Sequence, residues 1–234
     1  GLTLTLRLDN PTETALSGIL VHATLPDGLR RIPDRSGWAD DAPQKRVRAE
    51  VGTLAAGTSA TLTLALGATG PVDTLIPLTF EAVGGDLRAT ATAEVWIVQP
   101  GRARVTPEVG GLLVSPDRRA WVRFPAGRVA APTEVGWEDV PDLPAALPYG
   151  LGQAFAVRGP APAAVGVRFS REELPADSVS WELAALFRYD ETAGRWQALD
   201  TRRSAGEETL AFSAVTEGTG LFAVALSTQS ETGN

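Results

Sequence analysis

Apolar and polar residues alternate with a period of two along most of this chain. In the first run, LTLTLRL at residues 2–8, leucine occupies every second position and Thr3, Thr5 and Arg7 lie between. Similar runs occupy residues 18–25, 46–54, 58–66, 74–83 and 86–98. Successive side chains of a strand point to opposite faces, so each run predicts a strand with one apolar face. Helical spacing of three and four residues is not a feature of the pattern.

The same period continues in the second half, in runs such as RAWVRFPAGRV, AVGVRFS, ETLAFSAV and GLFAVAL. A segment that contains Pro100, Gly101 and Pro107 separates the two series of runs, and we place a domain boundary near Pro100–Arg104. We therefore predict an all-β chain of two consecutive antiparallel β-sandwich domains. The first domain covers residues 1–100, the second covers residues 101–228, and residues 229–234 form a polar tail.

Composition excludes several classes of partner. The net charge of −7 is spread over both halves, with 8 basic and 11 acidic residues up to Pro100 and 13 and 17 after it. Neither half therefore offers a basic face, and we expect no nucleic acid partner. No apolar run approaches the roughly 20 residues of a membrane helix, so we expect no membrane insertion of this segment. Because the chain contains no Met, even at position 1, we expect it to be a processed product or a segment of a longer protein.

The sequence contains few of the residues and motifs that common catalytic sites need. His22 is the only histidine, cysteine is absent, and no Gly-x-Ser-x-Gly motif supplies a nucleophile. A serine triad and a zinc shell both need more of these residues than the chain contains. We therefore predict that the protein is not an enzyme and has no catalytic residues.

Two kinds of ligand site remain as hypotheses. Asp34, Asp40 and Asp41 are our preferred calcium ligands, since calcium accepts carboxylate oxygens from extracellular loops. Calcium is the one cofactor that we consider. Trp38 and Trp137 lie beside acidic residues and are the two aromatic side chains that we expect to face a ligand such as a glycan.

The first half carries the segments LTLRLDNPTETALSG, ILVHATLPDGL and VGTLAAGTSATLTLAL. It resembles the immunoglobulin-like repeat of unknown function that occurs in tandem in bacterial surface proteins. The second half carries TPEVGGLLVSPDRRAWVRFPAGRV, LAALFRYDETAGRWQAL and GLFAVAL. It resembles the β-sandwich shared by zonula occludens protein, netrin receptors and ankyrins, in its bacterial extracellular form. The two resemblances imply an immunoglobulin-like first domain and a location outside the cell or on the bacterial cell surface.

The resembling repeat normally has one more strand before the one that residues 2–8 match. Three interpretations stay open: the sequence is cut from a longer chain, the sandwich manages without that strand, or another subunit donates one. Leu2, Leu4, Leu6 and Leu8 then mark an assembly edge, with other copies of the protein or neighbouring domains of a longer chain as partners. We expect a structural or assembly module, such as a filament subunit joined by strand donation or edge pairing. The alternative is a glycan-binding or calcium-dependent adhesin domain.

Overall fold

The structure is a computed structural model that describes residues 2–41, 45–147, 150–170, 172, 183–206 and 209–226. The chain divides into two compact units, Gly1–Ile97 and Val98–Asn234. This division lies shortly before the predicted boundary at Pro100–Arg104. The polar tail predicted at residues 229–234 lies outside the described residues. A helix with the length and apolar character needed to cross a bilayer is not found in the described ranges.

The first unit contains eight strands within its described residues. They are β1 Leu2–Asp9, β2 Leu16–Thr24, β3 Leu29–Arg31, β4 Trp38–Asp41, β5 Arg46–Leu54, β6 Ser59–Ala68, β7 Thr74–Gly84 and β8 Leu87–Ile97. A three-stranded sheet has the order β1-β6-β3, and a five-stranded sheet has the order β4-β5-β2-β7-β8. All neighbouring strands are antiparallel. The first unit is thus built from two antiparallel sheets of unequal width.

Side chains from both sheets of the first unit form one hydrophobic core. The largest of its members that are at most 1% exposed are Val21, Val47, Leu64, Leu66 and Leu78. Each lies on the apolar face of an alternating strand, so the period of two accounts for the composition of the core. Gly85 has a φ of 59° in the two-residue turn from β7 to β8, a conformation that glycine adopts without steric cost.

The second unit contains twelve strands within its described residues. They are β9 Arg102–Val105, β10 Gly111–Val114, β11 Ala120–Phe124, β12 Thr133–Gly136, β13 Glu138–Asp139, β14 Gly150–Val157, β15 Ala164–Ser170, β16 Ala184–Asp190, β17 Arg195–Ala198, β18 Thr201–Ala205, β19 Thr209–Val215 and β20 Gly220–Leu226. Two five-stranded sheets have the orders β10-β11-β15-β19-β18 and β13-β14-β20-β16-β17, and β12 pairs with β9. The pairings are again antiparallel.

Phenylalanines are the largest fully buried side chains in the core of the second unit. Phe124, Phe155, Phe212 and Phe222 are each at most 1% exposed, and they pack with aliphatic residues of both five-stranded sheets. Phe155 stacks on Phe222 with ring centroids 5.7 Å apart. The prediction of an all-β chain made of antiparallel sheets is confirmed.

Candidate functional site

Strand β1 forms one edge of the three-stranded sheet. It pairs with β6 from Leu2, opposite Leu66, to Asp9, opposite Ser59. The Asn10 N–H continues this ladder and donates to the Thr58 carbonyl at 2.9 Å. Because hydrogen-bonding direction alternates along an antiparallel strand, Leu2, Leu4, Leu6 and Leu8 direct their backbone groups toward β6. The backbone groups of Thr3, Thr5 and Arg7 therefore point away from β6, where the described part of the chain places no strand.

The leucine side chains of this edge face the core. Leu4, Leu6 and Leu8 are half-buried and pack against the buried cluster of the first unit, whereas Leu2 is 39% exposed. Leu4, Leu6 and Leu8 thus cover part of the core and leave the strand's backbone accessible. The structure places the predicted assembly-edge residues on an open strand.

Strand β8 is the edge of the facing sheet, and its core side is only partly covered. Ala91 lies opposite the buried Phe80 of β7, so the two side chains share a face. Val95 is 4% exposed on that face. Toward the start of the strand, however, Leu87 is 51% exposed, and Ala89 and Ala91 are exposed as well. The alternating pattern predicts a dry face along all of β8, but only its second half is buried.

A groove of about 480 Å³ connects the two edges. Its apolar lining comes from β1, β2, β7 and β8, chiefly Leu6, Leu8, Ile19, Phe80, Leu87 and Ala91. The rim is polar and includes an ion pair of β1, in which Arg7 Nε lies 2.8 Å from Asp9 Oδ1. We call this feature, with the open edge of β1, the β1–β8 groove.

Asn10 fixes the end of β1 beside the groove. Its side chain is buried, and Nδ2 donates to the carbonyls of Thr14 at 2.9 Å, Leu54 at 3.0 Å and Ala55 at 3.1 Å. Oδ1 accepts from the Thr12 N–H at 3.1 Å and from the Thr12 hydroxyl at 2.7 Å. A single amide thereby ties β1 to the turn between β5 and β6. The sequence alone does not indicate this role, since it shows Asn10 only as part of the segment LDNP.

Trp38 does not face a ligand, so that prediction is wrong. The residue begins β4, is 5% exposed, and packs edge to face on Phe80 with ring centroids 6.3 Å apart. Strand alternation turns Trp38 into the core and leaves Ala39 outside. Among buried side-chain polar atoms that the structure describes, its indole Nε1 is the one without a hydrogen-bond partner.

The three aspartates proposed for calcium do not form a ligand set. Asp40 accepts a two-pronged contact from Arg31, at 2.8 Å from Nε and 2.7 Å from Nη2, and this lowers the pKa of Asp40. Asp34 instead accepts hydrogen bonds from the Ser36 hydroxyl and N–H, which lower its pKa. Asp41 lies at the end of β4. No group of three or more His, Asp or Glu side chains that could hold a metal ion occurs in the described ranges, so the structure does not support a calcium site.

Trp137 borders a second cavity, which lies within the second unit. Its indole is half-buried and stacks on Phe155, with centroids 4.7 Å apart and planes at 28°. Its Nε1 donates to Asp139 Oδ1 at 2.7 Å. The sequence identifies this tryptophan and its acidic neighbours, but Ser115 and Asp117, which line the same cavity, belong to a distant turn.

Comparison with known proteins adds no assignment to these sites. No protein-family model matches the chain, and no curated protein matches it.

Proposed function

We propose that this protein is a non-enzymatic assembly module of a bacterial cell-surface or secreted protein, and that a strand added to β1 joins it to another copy. The observation that carries this proposal is that an unpaired strand edge and an uncovered core face lie side by side in the β1–β8 groove. The resemblance of the sequence to repeats of bacterial surface proteins supports the location.

Strand addition would satisfy the backbone of β1. The N–H and C=O groups of Thr3, Thr5 and Arg7 point toward the groove side, where a new strand would meet them. Each hydrogen bond of this kind contributes about 0.5–1.5 kcal/mol net. Backbone hydrogen bonds form with a strand of any sequence. The choice of partner must therefore depend on the side chains that enter the groove.

Strand addition would also remove the apolar floor of the groove from water. The narrower sheet ends at β1 while the wider one continues to β8, so an added strand would lie over Leu87, Ala89 and Ala91. Apolar surface removed from water stabilises by about 25 cal/mol per Å². Ala89 and Ala91 are small, so the arriving strand fits best with large apolar side chains at alternate positions. The paired charges of Arg7 and Asp9 at the rim favour a segment without net charge.

The geometry also restricts where the strand comes from. A second intact sandwich could not place its own β1 over Leu87, because its own β8 would occupy the same space. The added strand is therefore an extended segment that projects from its fold. Residues 2–9 of this chain show the required alternation, so we propose a second copy as the donor, one that releases these residues from its own β6 when it donates them.

Thr5→Pro tests the proposal, because Thr5 directs its N–H into the open edge and proline removes that donor. Proline is tolerated on edge strands where the lost N–H faces outward, so pairing with β6 should survive. We expect light scattering to show concentration-dependent association of the parent chain and its loss in Thr5→Pro. Thr5→Val keeps the N–H and should associate like the parent chain.

A second pair of variants tests the groove floor. Ala89→Glu places a charge on the exposed core face of β8, whereas Thr92→Glu places the same charge on the opposite face of the same strand. Ala89→Glu should abolish association and Thr92→Glu should preserve it. A parent chain that stays monomeric at every concentration, or association that survives both Thr5→Pro and Ala89→Glu, would overturn the proposal.

A further inference from the structure

The cavity beside Trp137 is lined by described residues of the second unit. It has a volume of about 530 Å³, within the range of small-molecule sites. Its lining combines two stacked aromatic side chains, two carboxylates and an apolar wall, chiefly Trp137, Phe155, Asp117, Asp139, Ser115 and Leu143. This combination of groups differs from the β1–β8 groove, which lacks carboxylates on its floor.

The indole of Trp137 is held rigidly. Phe155 supports one ring face at a centroid distance of 4.7 Å, and Phe222 supports Phe155 in turn at 5.7 Å. Both phenylalanines are at most 1% exposed, so the stack is anchored in the core. The hydrogen bond from Nε1 to Asp139 fixes the rotation of the indole within its plane. A flat apolar surface is therefore present at the cavity without any rearrangement.

The carboxylates supply hydrogen-bond acceptors around that surface. Asp117 Oδ1 accepts from the Ser115 hydroxyl at 2.5 Å and from the Arg119 N–H at 3.0 Å. Although burial raises the pKa of Asp117, these hydrogen bonds and the charge of Arg119 lower it overall. An ionised carboxylate offers about four lone-pair sites, so Asp117 and Asp139 can each accept further hydrogen bonds.

We infer that this cavity binds a carbohydrate, with one sugar ring stacked on Trp137 and its hydroxyl groups donating to Asp117 and Asp139. A pyranose ring presents an apolar C–H face and a rim of hydroxyl donors, which match one flat indole and two acceptors. A cationic amine would be expected to contact several aromatic faces, and here Phe155 lies beneath Trp137 and adds no second open face. The acidic lining repels phosphate groups.

The experiment is a glycan array with the full chain, followed by titration of the best binder by isothermal titration calorimetry. Trp137→Phe keeps an aromatic ring on Phe155 but removes the indole area and the N–H donor. We expect it to weaken binding about tenfold, which corresponds to about 1.4 kcal/mol. Asp117→Ala should weaken binding similarly. Glu134→Ala removes one exposed charge from the same unit outside the cavity and should bind like the parent chain.

Circular dichroism of each variant separates loss of binding from loss of folding. Absence of any glycan signal, or binding that neither Trp137→Phe nor Asp117→Ala weakens, would overturn the inference. Preferential binding of an organic ammonium ion over every sugar would overturn it as well. The Thr5→Pro variant should bind the glycan normally, so failure of strand addition and failure of this inference can be told apart.

Discussion

At the residue scale, the buried amide of Asn10 holds the end of the open edge strand β1 in place. Its Nδ2 donates to three carbonyls, so a substitution that removes this donor takes a hydrogen bond away from each of them. Asn10→Asp keeps the shape but turns a carboxylate toward those carbonyls. We expect it to lower the free energy of unfolding of the first unit by about 2–4 kcal/mol. Urea denaturation measures the change.

The neighbouring Asp9→Asn serves as the control for this prediction. Asp9 is exposed and its carboxylate contacts Arg7, so losing its charge should change stability by less than about 1 kcal/mol. If Asn10→Asp were no more destabilising than Asp9→Asn, the amide would not be the anchor of β1.

The Arg31–Asp40 pair predicts a pH dependence. The two-pronged contact from Arg31 holds the pKa of Asp40 below its ordinary value. A carboxyl with a lower pKa in the folded state stabilises the fold above its unfolded pKa, near 4. That contribution is lost as pH falls through the folded value. Asp40 is half exposed, so we expect Asp40→Asn to lose less than about 1 kcal/mol at neutral pH.

The measurement is a comparison of Asp40→Asn with the parent chain by urea denaturation at neutral pH and near pH 2. The difference should vanish in acid, where the carboxyl of the parent chain is protonated. Asp41→Asn removes the same charge from the next position of β4 and serves as the control for the loss of one charge. A difference that persists unchanged in acid would mean that packing, rather than the ion pair, is responsible.

At the scale of the element, β1 should show alternating amide protection. The N–H groups of Leu4, Leu6 and Leu8 bond to β6, whereas those of Thr3, Thr5 and Arg7 face outward. Hydrogen exchange followed by NMR should find the leucine amides slow and the other three fast in the dilute, monomeric chain. Association through the groove should slow the three fast amides. Equal protection of all six in the monomer would contradict the assigned register.

The same scale shows which parts of the fold follow from the sequence. Alternation located the strands because the period of two depends only on local backbone geometry. It did not reveal that Leu87 and Ala91 are exposed, because their burial depends on how many strands the opposite sheet contains. Its acidic neighbours lead to the prediction that Trp38 faces a ligand, but Trp38–Asp41 is a strand whose alternation turns the indole inward. Ser115 joins the Trp137 cavity through sheet pairing that no local pattern encodes.

At the scale of the whole molecule, each unit fills its core from its own residues. The buried cluster of the first unit draws on residues 21–97, and that of the second draws on residues 103–224. The β1–β8 groove belongs to the first unit and the Trp137 cavity to the second. Proposed assembly and proposed glycan binding therefore depend on different cores, and each can be weakened separately.

Separate cores predict separate responses to mutation. Leu64 and Phe212 are each at most 1% exposed, so Leu64→Ala and Phe212→Ala should cost about 2–5 kcal/mol in their own units. Hydrogen exchange with mass spectrometry, measured across urea concentrations, reports on peptides of each unit. Leu64→Ala should shift the midpoint only for peptides of residues 2–97, and Phe212→Ala only for those of the second unit. If either variant shifted both sets equally, the chain would unfold as one cooperative body, and a binding defect in one unit could no longer be attributed to that unit alone.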